Sequence, residues 1–303
     1  MSAQITLRWL ASVPVSCLHA AAALLRKQPL ADPSVSAALA APAERLQAAL
    51  LEERVPSERF WSHVIPLAAD IDGIRELAEV TLTKTVGRQE AAPRVRRFRD
   101  LLAELKEAFG AALPRLSEEW TTSIEPLRQR WNYQGPALLG GVVQRTEPGI
   151  LVDAASVVLV YPALRGGGAA HLPYNLLHIE AQPVDPVPDL PEVVRLAWML
   201  SLLNLDLPQY SEGVQPSRLA TVAGLAMIPV TLAAAAEVQL ARCDAEAIGL
   251  ALKAWLAPPN EAEAWAGMLS QWWETYGALR PAWATALQAL DRLLDGTRTG
   301  ALG

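Results

Sequence analysis

The spacing of apolar and polar residues changes character twice along this chain. Up to about residue 132 it is helical. From Val35 to Glu53 the stretch VSAALAAPAERLQAALLEE puts Leu39, Leu46, Leu50 and Leu51 near one face, with Pro42 as a start or break. Ser57–Ala69 repeats the pattern with Phe60, Trp61 and Val64, and Ser57 is a suitable cap. Pro93–Leu113 carries Phe98, Leu101, Leu102, Leu105 and Phe109 at i, i+3, i+4 spacing, which lines up one apolar stripe with charges opposite. The opening stretch as far as Lys27 and the segment Ser117–Trp131 read as helices as well.

At Tyr133 the pattern shifts to short runs rich in Val and Leu, separated by glycine and proline. Val157–Tyr161 (VVLVY) reads as a fully buried strand, with Gly141–Arg145 and Ile150–Val152 as weaker strands around the turn residues Glu147, Pro148 and Gly149. Asn175–Ala181 alternates: Leu176, His178 and Glu180 point one way, and Leu177, Ile179 and Ala181 the other. These runs predict a small central sheet of three or four strands over about 137–182. The stretch PVDPVPDLP, with prolines at 183, 186, 188 and 191, ends it. Helical periodicity then resumes over 190–207, with Asp189 as cap and Pro191 in the first turn, and continues to the C-terminus. The expected class is α+β and predominantly helical. It has an N-terminal helical region (1–132), a sheet region (133–189) and a C-terminal helical region (190–303), which one compact domain would also accommodate.

Composition narrows the function. With 51% hydrophobic and 19% charged residues over 303 positions, the chain can bury a large core and lacks the signature of disorder. A net charge of −6 offers no basic footprint for phosphates, which argues against nucleic acid as a partner. Cys17 and Cys243 form no CxxC motif and no disulfide framework, which suits a reducing, cytoplasmic address. Leu219–Ala236 is uncharged and 18 residues long, yet it is rich in alanine and contains Pro229, so a buried helix is expected rather than a membrane span.

Several groups are candidates for chemistry. His171, His178 and Glu180 are residue types that ligate zinc or iron, and same-face strand positions can converge on an ion; zinc is the cofactor this would imply. The alternative is a strand whose polar face meets solvent or a helix. The triple glycine Gly166–Gly168 lacks both the GK[ST] and GxGxxG patterns, so a flexible hairpin loop is expected there, not a phosphate cradle. His19 and His63 lie on helical stretches with no evident partner. Arg94, Arg96, Arg97 and Arg99 read as a solvated helix start, and the tryptophans Trp265, Trp272, Trp273 and Trp283 as core or partner-binding groups.

The order strands, connecting loop and LPEVVRLAW resembles the layout of zincin metallopeptidases, which carry HExxH on a helix after a small sheet. Glu192 stands where that motif has its glutamate, while Pro191 and Arg195 replace both histidines. The resemblance therefore implies a degenerate, inactive scaffold with Glu192 and Arg195 as polar groups of a former cleft. The leading expectation is a non-catalytic protein that acts by association with a protein partner or with itself. The alternative is an enzyme or former enzyme whose cleft lies between the sheet and the 190–207 helix.

Overall fold

A computed structural model describes residues 5–116, 124–164, 166–180, 187–256 and 262–300. Among them are 13 helices and one four-stranded mixed sheet, the mostly helical α+β class that the patterning predicts. The chain divides into two compact units, one of Arg8–Glu125 with Ser156–Asp185 and one of Met1–Leu7, Pro126–Ala155 and Pro186–Gly303.

The unit that starts at Arg8 is built on β1 (Thr6–Ala11), α1 (Val13–Leu25), α2 (Pro33–Glu52), α3 (Ser57–Leu67), α4 (Ile74–Val86), α5 (Arg88–Ala91) and α6 (Val95–Ala112). It is completed by β2 (Ala154–Leu159), β3 (Gly168–His171) and β4 (Leu176–Ile179). The stripe on α6 buries Phe98, Leu102, Leu105 and Phe109, and α6 packs on α2 and α4. Each such side chain contributes about 1.5–3 kcal/mol. The arginines that precede and open α6 are drawn into ion pairs: Arg94 with Glu53 and Glu90, Arg97 with Glu52 and Glu53, and Arg99 with Asp100. At this exposure each pair contributes only about 0–1 kcal/mol.

The sheet order is β1-β2-β4-β3, with β2 parallel and β3 antiparallel to β4. Three strand assignments differ from the sequence reading. The edge strand β1 comes from the N-terminus, where a helix was expected. Thr6–Ala11 pairs with β2 through Thr6 N–Asp153 O and Ser12 N–Leu159 O, and the helix begins only after it. Ser12 marks that start, since its Oγ accepts from Val15 N and Pro14 sits in the first turn. Conversely, Gly141–Arg145, expected as a strand, is the last part of a helix, and Ile150–Val152 is not a strand.

That helix, α7 (Glu125–Arg145), belongs to the other unit, with α8 (Glu192–Leu200), α9 (Pro208–Ser211), α10 (Pro216–Glu237), α11 (Ala245–Trp255), α12 (Ala262–Leu279) and α13 (Trp283–Gly300). Gly135 and Gly141 serve close packing rather than turns. A Cβ at Gly141 would lie 2.8 Å from Ala234 Cβ on α10, and one at Gly135 would meet the Trp131 ring at 2.5 Å. Helix α8 stops at Leu200 rather than running to 207. Ser201 Oγ bonds back to Trp198 O, and the amides of Leu202, Leu203 and Leu205 each take the carbonyl three residues earlier, the tighter pitch of successive turns.

Helix α10 is long and apolar enough to cross a membrane by length and composition, but 72% of its apolar window is buried within the fold. In its own unit it packs against α8, α11, α12 and α13, as a core helix does. Trp272 stacks on Tyr276, meets Trp283 edge-on at 6.1 Å and donates from Nε1 to Ala286 O, so these aromatic residues join α12 to α13.

Candidate functional site

The register of β3 and β4 assembles a polar face from small and titratable residues. His178 lies opposite Ala169, His171 opposite Leu176, and Glu180 N donates to Gly167 O. Leu176, His178 and Glu180 share a face, as their alternation predicts, and His171 is the diagonal neighbour of His178 across the pair. The hairpin closes through the 3₁₀ turn Leu172–Tyr174 and a left-handed Asn175 (φ 45°). With only Ala169 and Gly167 between them, the face leaves room for a side chain from another element, and α1 supplies it. Ser12, Ser16 and His19 lie on one side of α1, where Ser16 Oγ accepts from Tyr161 N and His19 reaches the polar face.

The result is a chain of four side chains. His171 Nε2 lies 2.9 Å from His178 Nδ1, His178 Nε2 lies 3.1 Å from His19 Nδ1, and His19 Nε2 lies 2.6 Å from Glu180 Oε1. All four are buried: Glu180 is 0% exposed, His178 2%, His19 6% and His171 9%. The His19 and His178 rings meet edge-on with centroids 4.8 Å apart, and His171 and His178 are tilted by 30° at 5.1 Å.

The glycine loop closes over the carboxylate. Leu164 N donates to Glu180 Oε1 and Gly166 N to Oε2, each at 2.8 Å. Gly166 has φ 134°, open to glycine alone, and a Cβ at Gly167 would sit 2.9 Å from Glu180 Oε1 and 3.1 Å from His19 Nε2. Burial pushes the Glu180 carboxyl up, but the hydrogen bond and charge of His19, with the amides of Gly166 and Gly167, outweigh it and hold the pKa below the ordinary value. His171 is driven down to about 4, chiefly by burial, with the charges of His19 and Arg26 adding to it.

The metal candidates His171, His178 and Glu180 are thus brought together, but in series. Each nitrogen of His178 faces a different partner, and among the described residues no group of three His, Cys, Asp or Glu converges on a point that could hold an ion. The triple glycine, expected as a flexible hairpin loop, instead cradles Glu180. His19 is the member that sequence reasoning missed. A histidine in the middle of an alanine-rich helix, where burial is expected, must find a polar partner, and that requirement was the available signal. His63 lies nearby on α3, where Nδ1 is 2.8 Å from Tyr174 Oη. Glu192 and Arg195 belong to the other unit, where Arg195 Nη2 pairs with Glu192 Oε2 at 2.5 Å along α8.

The other unit also carries a surface pocket of about 370 Å³, lined by Gln144 and Arg145 of α7, Glu237, and Trp273, Tyr276, Gly277 and Arg280 at the end of α12. Arg145 pairs with Glu237 at 2.5 Å, and Leu279, beside Arg280, is 74% exposed. Comparisons with protein-family models, curated proteins and solved structures gave no match to this chain. What fold and site define is a mostly helical α+β protein with a buried three-histidine, one-glutamate chain.

Proposed function

We propose that this chain acts by non-covalent association rather than catalysis, with a second copy of itself as the first occupant to test. The pocket at the end of α12 carries this reading. Trp273, Tyr276 and Arg280 are the residue types that dominate binding energy at interfaces, and Leu279, next to Arg280 in the chain, adds an exposed apolar side chain. Trp272 and Trp283 face inward, so Trp273 is the aromatic anchor. Two free cysteines suit a reducing, cytoplasmic setting. Light scattering on the full chain across concentrations tests it. Association should give a mass above 32.7 kDa that falls back in the double variant Trp273→Ala, Leu279→Asp. A mass of 32.7 kDa at every concentration removes self-association.

A second reading, an enzyme-like or degenerate zincin scaffold, is favoured by one observation: His171, His178 and Glu180 stand within hydrogen-bond range of one another or of His19. Metal analysis of the purified full chain and of His178→Ala tests the zinc version. A stoichiometric ion in the parent that is lost in the variant supports it, and none in the parent ends it.

A further inference from the structure

With the three imidazoles neutral, the hydrogen bonds around Glu180 set the direction of the whole chain. Both carboxylate oxygens accept backbone amides, Oε1 from Leu164 and Oε2 from Gly166, so Glu180 serves as an acceptor and His19 must donate to it from Nε2. In its neutral form, as opposed to the charged form that acts on Glu180 and His171, His19 offers Nδ1 as an acceptor, and His178 fills it with its own Nε2–H. The same step repeats once more: His178 Nδ1 becomes the acceptor for the Nε2–H of His171. All three rings therefore carry the same tautomer, and every bond points toward Glu180. His171, at 9% the most exposed of the four groups, ends the chain opposite Glu180.

We propose that His171, His178 and His19 form a proton-conducting chain of fixed polarity that exchanges protons between solvent and the buried Glu180 carboxylate. In the inward step a proton from water binds His171 Nδ1. The Nε2 proton of His171 passes to His178 Nδ1, that of His178 Nε2 to His19 Nδ1, and that of His19 Nε2 to Glu180 Oε1. One proton enters, each imidazole ends neutral with its tautomer reversed, and the cluster goes from one negative charge to none. Among the described residues, Arg26, beyond the end of α1, acts on His171 through its charge, and His63 of α3 is engaged by Tyr174 of the same hairpin. This inference stands apart from the association reading and from its pocket.

Long-range proton–nitrogen NMR on the full chain with ¹⁵N-labelled histidine tests it without any substitution. At neutral pH the resonances of His19, His178 and His171 should show neutral rings protonated at Nε2. A ring protonated at Nδ1, or an imidazolium at His178, overturns the proposal. His171→Gln tests conduction directly. Its amide still donates to His178 Nδ1 but cannot pass a proton on, so exchange of the His178 and His19 Nε2 protons with water should be lost on the timescale at which the parent shows it. Unchanged exchange in a folded His171→Gln protein overturns the relay.

Discussion

His19 and Glu180 are 161 residues apart in sequence, yet His19 Nε2 lies 2.6 Å from Glu180 Oε1 in the interior. That contact ties α1 to the end of β4 and to the glycine loop. Removing one member strands a buried polar partner, which costs more than the intact pair contributes. His19→Ala should therefore destabilise the protein by about 3–5 kcal/mol. Glu180→Gln, which keeps the shape and an acceptor oxygen, should cost about 1–3 kcal/mol. Urea unfolding of the full-length variants measures both, and a loss below about 1 kcal/mol for His19→Ala would show that the contact does not hold these elements together.

Stability should fall with acid, and the sign follows from two groups. His171 binds a proton near pH 6.5 when unfolded but only near 4 in the fold, so the unfolded state holds more protons between those values and the loss begins as pH drops through 6.5. At full effect this term is on the order of 3 kcal/mol. Glu180, with its folded pKa lowered from 4.5, contributes stability that is present above 4.5 and is lost as pH falls through the folded value. Urea midpoints across pH 8 to 4 should decline from about 6.5 downward, and His171→Gln should flatten the upper part of that decline. A flat profile in the parent between those limits would remove His171 as the cause.

Gly167→Ala tests whether the glycine loop is fitted to the carboxylate. The new methyl would lie 2.9 Å from Glu180 Oε1 and 3.1 Å from His19 Cε1, within the range where neighbours must shift. Overpacking of this kind costs about 1–3 kcal/mol. Because the strain falls on the His19–Glu180 bond, the His19 ring resonances should move as well. A variant of parental stability with unmoved His19 signals would mean that the loop yields freely.

How far the site could be read from sequence depended on how local each signal was. The alternation in NLLHIE is local, so His178 and Glu180 on one face followed from period two alone. The approach of His171 depended on the turn through Pro173 and a left-handed Asn175, a closure that leaves no periodic trace. His19 reaches the site from a helix that ends more than a hundred residues earlier, and only the requirement that a buried imidazole be partnered pointed there. On α7, glycines usually read as breaks instead permit close approach to Ala234 and to the Trp131 ring, so tertiary packing overrode the local signal. β1 was missed for the complementary reason, because a short edge strand directly followed by a helix blends into its periodicity.

The two thiols should react at different rates. Cys17 is buried on α1, its Sγ 3.4 Å from Leu105 O, and burial pushes its pKa up to about 12 against a small opposing effect of Lys106. Thiolate is the reactive form, so almost none is present near neutral pH. Cys243 is also raised by burial but is partly exposed. Iodoacetamide in native buffer should therefore modify Cys243 first, with Cys17 labelled only on unfolding. Mass spectrometry of the labelled peptides over time gives the order, and faster labelling of Cys17 would mean that α1 separates from α6 in the folded state.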